Sequence, residues 1–191
     1  MLKNLESYQV VLASNSPRRQ ELLAKLGIEF IVKPSQGEEN YPATLDSSLV
    51  AEFLAKQKSD WFTSFEKNEL YITSDTVVVL DGTILGKPVD KTEAIQMLKN
   101  LSGKKHEVIT GVSLKSKLKN KLFSVKTKVT FKNLTEEEIE YYVNIFKPFD
   151  KAGSYGIQEW IGMIGITEIE GSYFNVMGLP TQVLFEELKR F

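Results

Sequence analysis

The chain has no cysteine and one histidine among its 191 residues. Without thiols there are no disulfides, no thiolate nucleophile, no iron–sulfur cluster and no cysteine-type zinc site, and His106 alone cannot make a two-histidine zinc motif. Any metal is therefore expected to be a hard cation on oxygen ligands, Mg²⁺ or Mn²⁺. A Ser-His-Asp triad would have to recruit His106 from the charged run Lys104-Lys105-His106-Glu107, and no nucleophile-elbow pattern accompanies it. His106 is read as a surface or strand-edge residue. An excess of either charge is also missing: 24 Lys+Arg stand against 25 Asp+Glu, a formal net charge of −1. No single-signed field is available to hold nucleic acid or an anionic membrane. No apolar run approaches the length of about 20 residues that a membrane span needs, and Met1-Leu2-Lys3-Asn4-Leu5-Glu6 lacks the apolar centre of a leader. The expectation is a soluble cytoplasmic protein with no nucleic-acid or membrane partner. Internal repeats, low-complexity tracts and long linkers are absent, so residues 1–191 are read as one domain.

What is present alternates β-rich runs with amphipathic helical patterns, which points to an α/β fold. Tyr8 to Ala13 reads as a strand; Pro17 then opens a helix whose apolar face is Leu22, Leu23 and Leu26 and which Gly27 ends. A second helix is expected from Ser48 to Phe62. Tyr71-Ile72-Thr73 and Val77 to Leu80 read as buried strand interrupted by Ser74-Asp75-Thr76, and Asp81-Gly82 as a tight turn into Thr83-Ile84-Leu85. Asp90 with Glu93, and Thr135 with Glu138, have capping-box spacing ahead of helices that end at Gly103 and Pro148. Two strands should lie between these helices. In the second, Phe123, Val125, Thr127, Val129 and Phe131 alternate with polar residues, as in a strand with one wet face. Ile161 to Ile169 and Tyr173 to Met177 read as strand, and Pro180 to Phe191 as a closing helix.

Several polar residues stand where chemistry could use them. Ser14-Asn15-Ser16-Pro17-Arg18-Arg19 joins a strand to a helix, and backbone N–H groups there, flanked by hydroxyls and guanidiniums, can hold phosphate oxygens; a plain Ser-capped helix is the alternative. The spacing is not that of a Walker loop. Asp75 lies in a run otherwise built for burial, so it either binds a cation or an ion-pair partner or caps a bend between strands. Glu38 and Glu39 could join Asp75 at a metal, although Gly37-Glu38-Glu39-Asn40 reads as a plain polar loop. Lys58, late in a helix, suits solvent and the helix dipole. Lys87 is in the constrained turn Gly86-Lys87-Pro88, and the amide of Gln158 can read a base edge or serve its own loop.

Together these segments resemble a known family. Leu12-Ala13-Ser14-Asn15-Ser16-Pro17-Arg18-Arg19-Gln20-Glu21-Leu22-Leu23, Ser74-Asp75-Thr76-Val77-Val78, Leu85-Gly86-Lys87-Pro88, Leu101-Ser102-Gly103, Ile109-Thr110-Gly111-Val112 and Asp150-Lys151-Ala152-Gly153-Ser154-Tyr155-Gly156-Ile157-Gln158 are similar, in this order, to the motifs of the Maf nucleotide pyrophosphatases. Gly171-Ser172-Tyr173 and Val176-Met177-Gly178-Leu179-Pro180 extend the match over essentially the whole chain.

The resemblance implies a mixed twisted sheet with flanking helices, in two lobes around a central cleft as in inosine triphosphatases, and a homodimer. It implies hydrolysis of a nucleoside triphosphate to monophosphate and pyrophosphate with Mg²⁺ or Mn²⁺, in a house-cleaning role linked to cell-division arrest. By position, Asp75 matches the family's catalytic acidic residue, a proton acceptor, and with Glu38 is expected to hold the metal. Ser14, Arg18, Arg19, Lys58 and Lys87 match its polar cleft residues. Arg18, Thr76 and Gln158 look like the set of the UTP/dTTP branch, whereas the 7-methyl-GTP branch carries Trp, Gln and Glu. The family usually continues after this glutamine with glycines. Here Glu159 and Trp160 follow, making that loop bulkier and more acidic. A carboxylate is a weak base near neutrality, so the expected picture has the metal acidify water and Asp75 orient it. Two other expectations are kept: a nucleotide-binding regulator without turnover, and a 7-methyl-GTP pyrophosphatase.

Overall fold

The computed structural model describes residues 2–65 and 68–191. Its elements in chain order are β1 (Gln9–Leu12), α1 (Pro17–Lys25), β2 (Ile31–Val32), α2 (Ser47–Asp60), β3 (Glu69–Leu80), β4 (Thr83–Leu85), α3 (Lys91–Leu101), β5 (Lys105–Lys115), β6 (Asn120–Phe131), α4 (Glu136–Phe146), α5 (Trp160–Gly165), β7 (Ile166–Glu170), α6 (Tyr173–Met177) and α7 (Thr181–Arg190). The strands form a seven-stranded sheet ordered β2-β1-β3-β5-β6-β7, with β4 paired to β3. β1 runs parallel to β2 and β3, whereas β4 on β3 and β7 on β6 are antiparallel. The mixed α/β sheet expected from the sequence is what the chain forms. Among the described residues no helix is long and apolar enough to cross a membrane.

The chain divides into two compact units, one of Met1–Asp75, Thr110–Val125 and Gly178–Phe191, the other of Thr76–Ile109 and Lys126–Met177. In the first, Val11, Leu12, Leu22, Leu23, Leu54, Ile72 and Leu184 are buried. There β3 is tied to α2 by the Thr73 hydroxyl, which donates to the Ala55 carbonyl at 2.6 Å. β5 approaches the same helix so closely that a Cβ at Gly111 would lie 2.2 Å from the Ala51 carbonyl oxygen. Backbone cannot swing aside as a side chain can. Gly111→Ala is therefore expected to cost about 3 kcal/mol of stability, read as a lower urea midpoint at unchanged slope; an unshifted midpoint would contradict this packing.

The second unit buries Leu98, Leu101, Phe131, Ile139, Tyr142, Tyr155 and Ile161 in one apolar cluster. Its helix α4 carries a complete capping box, with Thr135 and Glu138 each bonding the other's backbone N–H. At α3 Asp90 accepts from the Glu93 N–H, but the Glu93 carboxylate reaches the Val89 N–H instead of closing the box.

Four expectations are corrected. β3 is one continuous 12-residue strand, because Asp75 finds an ion pair and its neighbours have no need of a bend. Residues 160–165 are helical, not extended. The β-branched content reads as strand, but the Gly162 and Met163 N–H groups both donate to the Glu159 carbonyl, and the turn is tight enough that a Cβ at Gly162 would lie 2.0 Å from the Ile157 carbonyl. Tyr173–Met177 is also a helix, capped where the Ser172 hydroxyl accepts from the Asn175 N–H. The buried Asn175 amide there donates to the Val108 carbonyl and to the Thr127 hydroxyl. His106, expected at the surface, is 2% exposed. It is hydrogen-bonded through Nε2 to the Tyr155 hydroxyl at 2.7 Å and stacked on Phe131.

Candidate active site

In the first unit the turn from β1 into α1 is organised by its own hydroxyls. Ser16 caps α1 by accepting from the Arg19 N–H at 3.5 Å, Pro17 occupies the first turn, and the Ser14 hydroxyl accepts from the Ser16 N–H at 3.2 Å. Arg19 extends from this helix and donates through Nε to the Gly178 carbonyl and through Nη1 to the Ser74 carbonyl, both at 2.9 Å. The same Nη1 lies 3.5 Å from the Ser14 hydroxyl. Burial pulls the Arg19 pKa below its ordinary value and the Arg18 charge adds to this, while Asp75 and Glu39 push the other way. A guanidinium still stays charged there. Arg19 thus joins the first loop, the residue before Asp75 and the segment leading into α7. Arg18, one residue earlier, is half-buried.

Asp75 sits midway along β3, 14% exposed, with Oδ1 2.5 Å from the Lys58 ammonium. Lys58 comes from the last turn of α2 and is 9% exposed, so it is not the solvent-facing lysine its helix position suggests. A second carboxylate, Glu39 from the loop after β2, meets the same ammonium at 3.0 Å and is 47% exposed. A buried lysine with two anionic partners is electrostatically consistent, since an isolated buried charge would be costly. The exposed Glu38 makes no ion pair among the described residues; Glu39 reaches the cluster instead. No group of three His, Cys, Asp or Glu side chains disposed to hold a metal occurs among the described residues. Asp75 and Glu39 are hard oxygen donors that already share one cation. Two carboxylates are the usual protein contribution to a Mg²⁺ whose other ligands are phosphate and water.

The remaining predicted residues belong to the second unit. Thr76 follows Asp75 in β3 and is half-buried. Lys87 is exposed in its turn, which is fixed where the Gly86 carbonyl accepts from the Gly153 N–H at 3.0 Å. Gly153 has φ +68°, and a Cβ on it would touch Val78 at 3.1 Å, so the Asp-Lys-Ala-Gly loop needs glycine there on both counts. Gln158 is half-buried, and its Oε1 is buried and meets no hydrogen-bond donor among the described residues.

Sequence reasoning on individual residues missed Glu39 as the partner of Lys58 and missed the carbonyls that occupy Arg19. A long-range pairing leaves no local signal, although a lysine one turn from the end of an otherwise apolar helix face could have raised the question.

A family model described as Maf-like protein matches residues 9–191. A protein of Phocaeicola vulgatus named dTTP/UTP pyrophosphatase is 54% identical over all of this chain and all of its own. A Porphyromonas gingivalis protein of the same name is 51% identical, covering all of this chain and 98% of itself. One from Flavobacterium psychrophilum, again so named, is 50% identical over 96% of this chain and 94% of its own. The solved structure of a HAM1 protein from Coxiella burnetii covers 94% of this chain and 99% of its own at 17% identity, with a TM-score of 0.48. The family match covers residues 9–191, from the first residue of β1, and each of the three relatives aligns over at least 94% of both chains; this chain belongs to the Maf family.

Proposed function

We propose that this chain hydrolyses dTTP and UTP to the nucleoside monophosphate and pyrophosphate. The observation that carries the reading is the pairing of Asp75 with a buried lysine, in a chain whose full-length relatives at about half identity are named for that activity. Water attacks the α-phosphorus, the bond from that phosphorus to the α–β bridging oxygen breaks, and pyrophosphate leaves with the electron pair. Asp75 orients the water by accepting a hydrogen bond from it. In the first unit Lys58 and Arg18 offset the charge of the phosphate oxygens, Ser14 and the N–H groups opening α1 bind one of them, and Arg19 holds that loop to β3. Thr76 and Gln158 face the base, where the unmatched acceptor of Gln158 suits the imide N–H of uracil and thymine. Asp75 and the Glu38–Glu39 loop would hold Mg²⁺ or Mn²⁺, which supplies charge neutralisation and a more acidic water.

A homodimer in the cytoplasm belongs to the same proposal. Exposed apolar side chains such as Tyr141 and Ile145, one turn apart on α4, support a partner, and nucleoside triphosphates are a cytoplasmic pool. The test offers canonical and methylated triphosphates with either metal and identifies the products. Monophosphate and pyrophosphate from dTTP and UTP are expected. Diphosphate with orthophosphate, binding without turnover, or preference for 7-methyl-GTP would each overturn the reading.

A further inference from the structure

The segment Gly156-Ile157-Gln158-Glu159 is a four-residue turn closed by the Glu159 N–H donating to the Gly156 carbonyl at 3.0 Å, which puts Gln158 at its third position. One side chain from α4 grips both ends of this turn. The Tyr142 hydroxyl accepts from the Gly156 N–H at 3.0 Å and donates its own proton to Glu159 Oε2. The other oxygen of Glu159 pairs with Lys151 at 3.1 Å, and Lys151 also meets Asp150 at 2.7 Å. Glu159 is 19% exposed and Lys151 10%. The carboxylate lies so close over Gly156 that a Cβ there would be 2.8 Å from Glu159 Cδ. Burial and the neighbouring carboxylate push the Tyr142 phenol above its ordinary pKa, so the hydroxyl keeps the proton that it donates.

The turn thus has its backbone bond, a phenol, a carboxylate and an ammonium all engaged, while the amide it carries keeps a buried acceptor that no donor among the described residues meets. A brace made for stability alone would leave no such atom at its apex, because a buried unmet acceptor opposes folding. Fixing the backbone that carries this amide so firmly, and leaving its acceptor open, is instead the arrangement of a preorganised recognition group.

We propose that Glu159, acting through Tyr142, is a positioning residue that fixes the backbone turn from which the Gln158 amide is presented, and so sets discrimination between an imide base, uracil or thymine, and cytosine. This rests on the assignment of Gln158 to the base made above. Uracil presents a donor at N3 and cytosine an acceptor, so an acceptor presented to N3 from a fixed turn favours uracil, and one carried on a loose turn discriminates less.

The test measures pyrophosphate release from UTP and CTP by the native protein and by Tyr142→Phe, Glu159→Gln, Gln158→Ala and the Glu159→Gln/Gln158→Ala double variant, each checked for folding by circular dichroism. Tyr142→Phe and Glu159→Gln are expected to raise KM for UTP and to lower the UTP-over-CTP ratio of kcat/KM about tenfold, with kcat for UTP changed less than about threefold. The double variant should be no less selective than Gln158→Ala alone, and Glu159→Asp should restore part of the ratio. An unchanged ratio in the Tyr142 and Glu159 variants, beside a collapsed one in Gln158→Ala, overturns the role of Glu159 and leaves Gln158 as the base reader. An unchanged ratio in Gln158→Ala overturns the base assignment itself. Equal losses on UTP and CTP mark a structural brace and also overturn the proposal.

Discussion

Replacing Asp75 with asparagine is expected to lower kcat/KM for dTTP about 10³-fold, the scale on which a proton-handling or charge-stabilising group contributes. Asparagine keeps the volume and one acceptor of the aspartate but removes its charge, so the effect isolates electrostatics from packing. The protein should remain folded, because Lys58 keeps Glu39 as a partner at 3.0 Å. Breaking a buried pair completely costs several kcal/mol; with one carboxylate retained, about 1–2 kcal/mol is expected here. Steady-state pyrophosphate release measures the first effect and urea unfolding the second. Near-normal turnover in Asp75→Asn would remove the carboxylate from the mechanism, whatever happened to stability.

The second large effect is on stability against acid. His106 is 2% exposed, faces the Tyr155 hydroxyl and the Phe131 ring, and has its pKa lowered by burial from 6.5 to about 4. Between those values the unfolded chain binds a proton that the folded chain does not, so stability is complete above pH 6.5 and falls as the pH drops towards 4. At pH 4.5 the loss from this one group is about 2.5 kcal/mol relative to neutrality. Glu136 and Glu170, held below the ordinary 4.5 by hydrogen bonds from Lys99 and Lys105, act only at lower pH, and as exposed groups they contribute little. Urea unfolding at pH 7 and pH 4.5 should show His106→Gln losing less stability between the two than the native protein. Parallel losses would mean that His106 is charged in the folded state.

Motifs and period carried much of this molecule. The alternation of Phe123 to Phe131, the caps at Asp90 and Thr135 and the Ser16-Pro17 helix start are local signals, and the elements lie where those signals put them. The misreadings at 160–165 and 173–177 share a cause. Both are short segments tied to neighbours outside themselves, Gly162 packed on the Ile157 carbonyl five residues back and Asn175 bonded to the distant Val108 carbonyl, and residue propensity alone does not register such ties. His106 failed for a related reason: charged neighbours on a strand say nothing about the face its own side chain takes, and that face is buried between aromatic rings. At the site, Asp75 stood out because a carboxylate in an apolar strand demands a partner. The identity of that partner did not, since Lys58 is 17 residues away on another element.

The ammonium shared by Asp75 and Glu39 has one more consequence, for how a polyanion arrives. The resting protein supplies its own counterions, so a phosphate that engages Lys58 trades places with a carboxylate instead of adding to a bare positive charge. Such an exchange leaves the net number of ion contacts nearly constant, which makes binding at this lysine less responsive to added salt than an open cationic pocket would be. It also discriminates by valence, because an incoming group has to compete with two carboxylates already in place, and a multiply charged phosphate chain does so better than a singly charged anion.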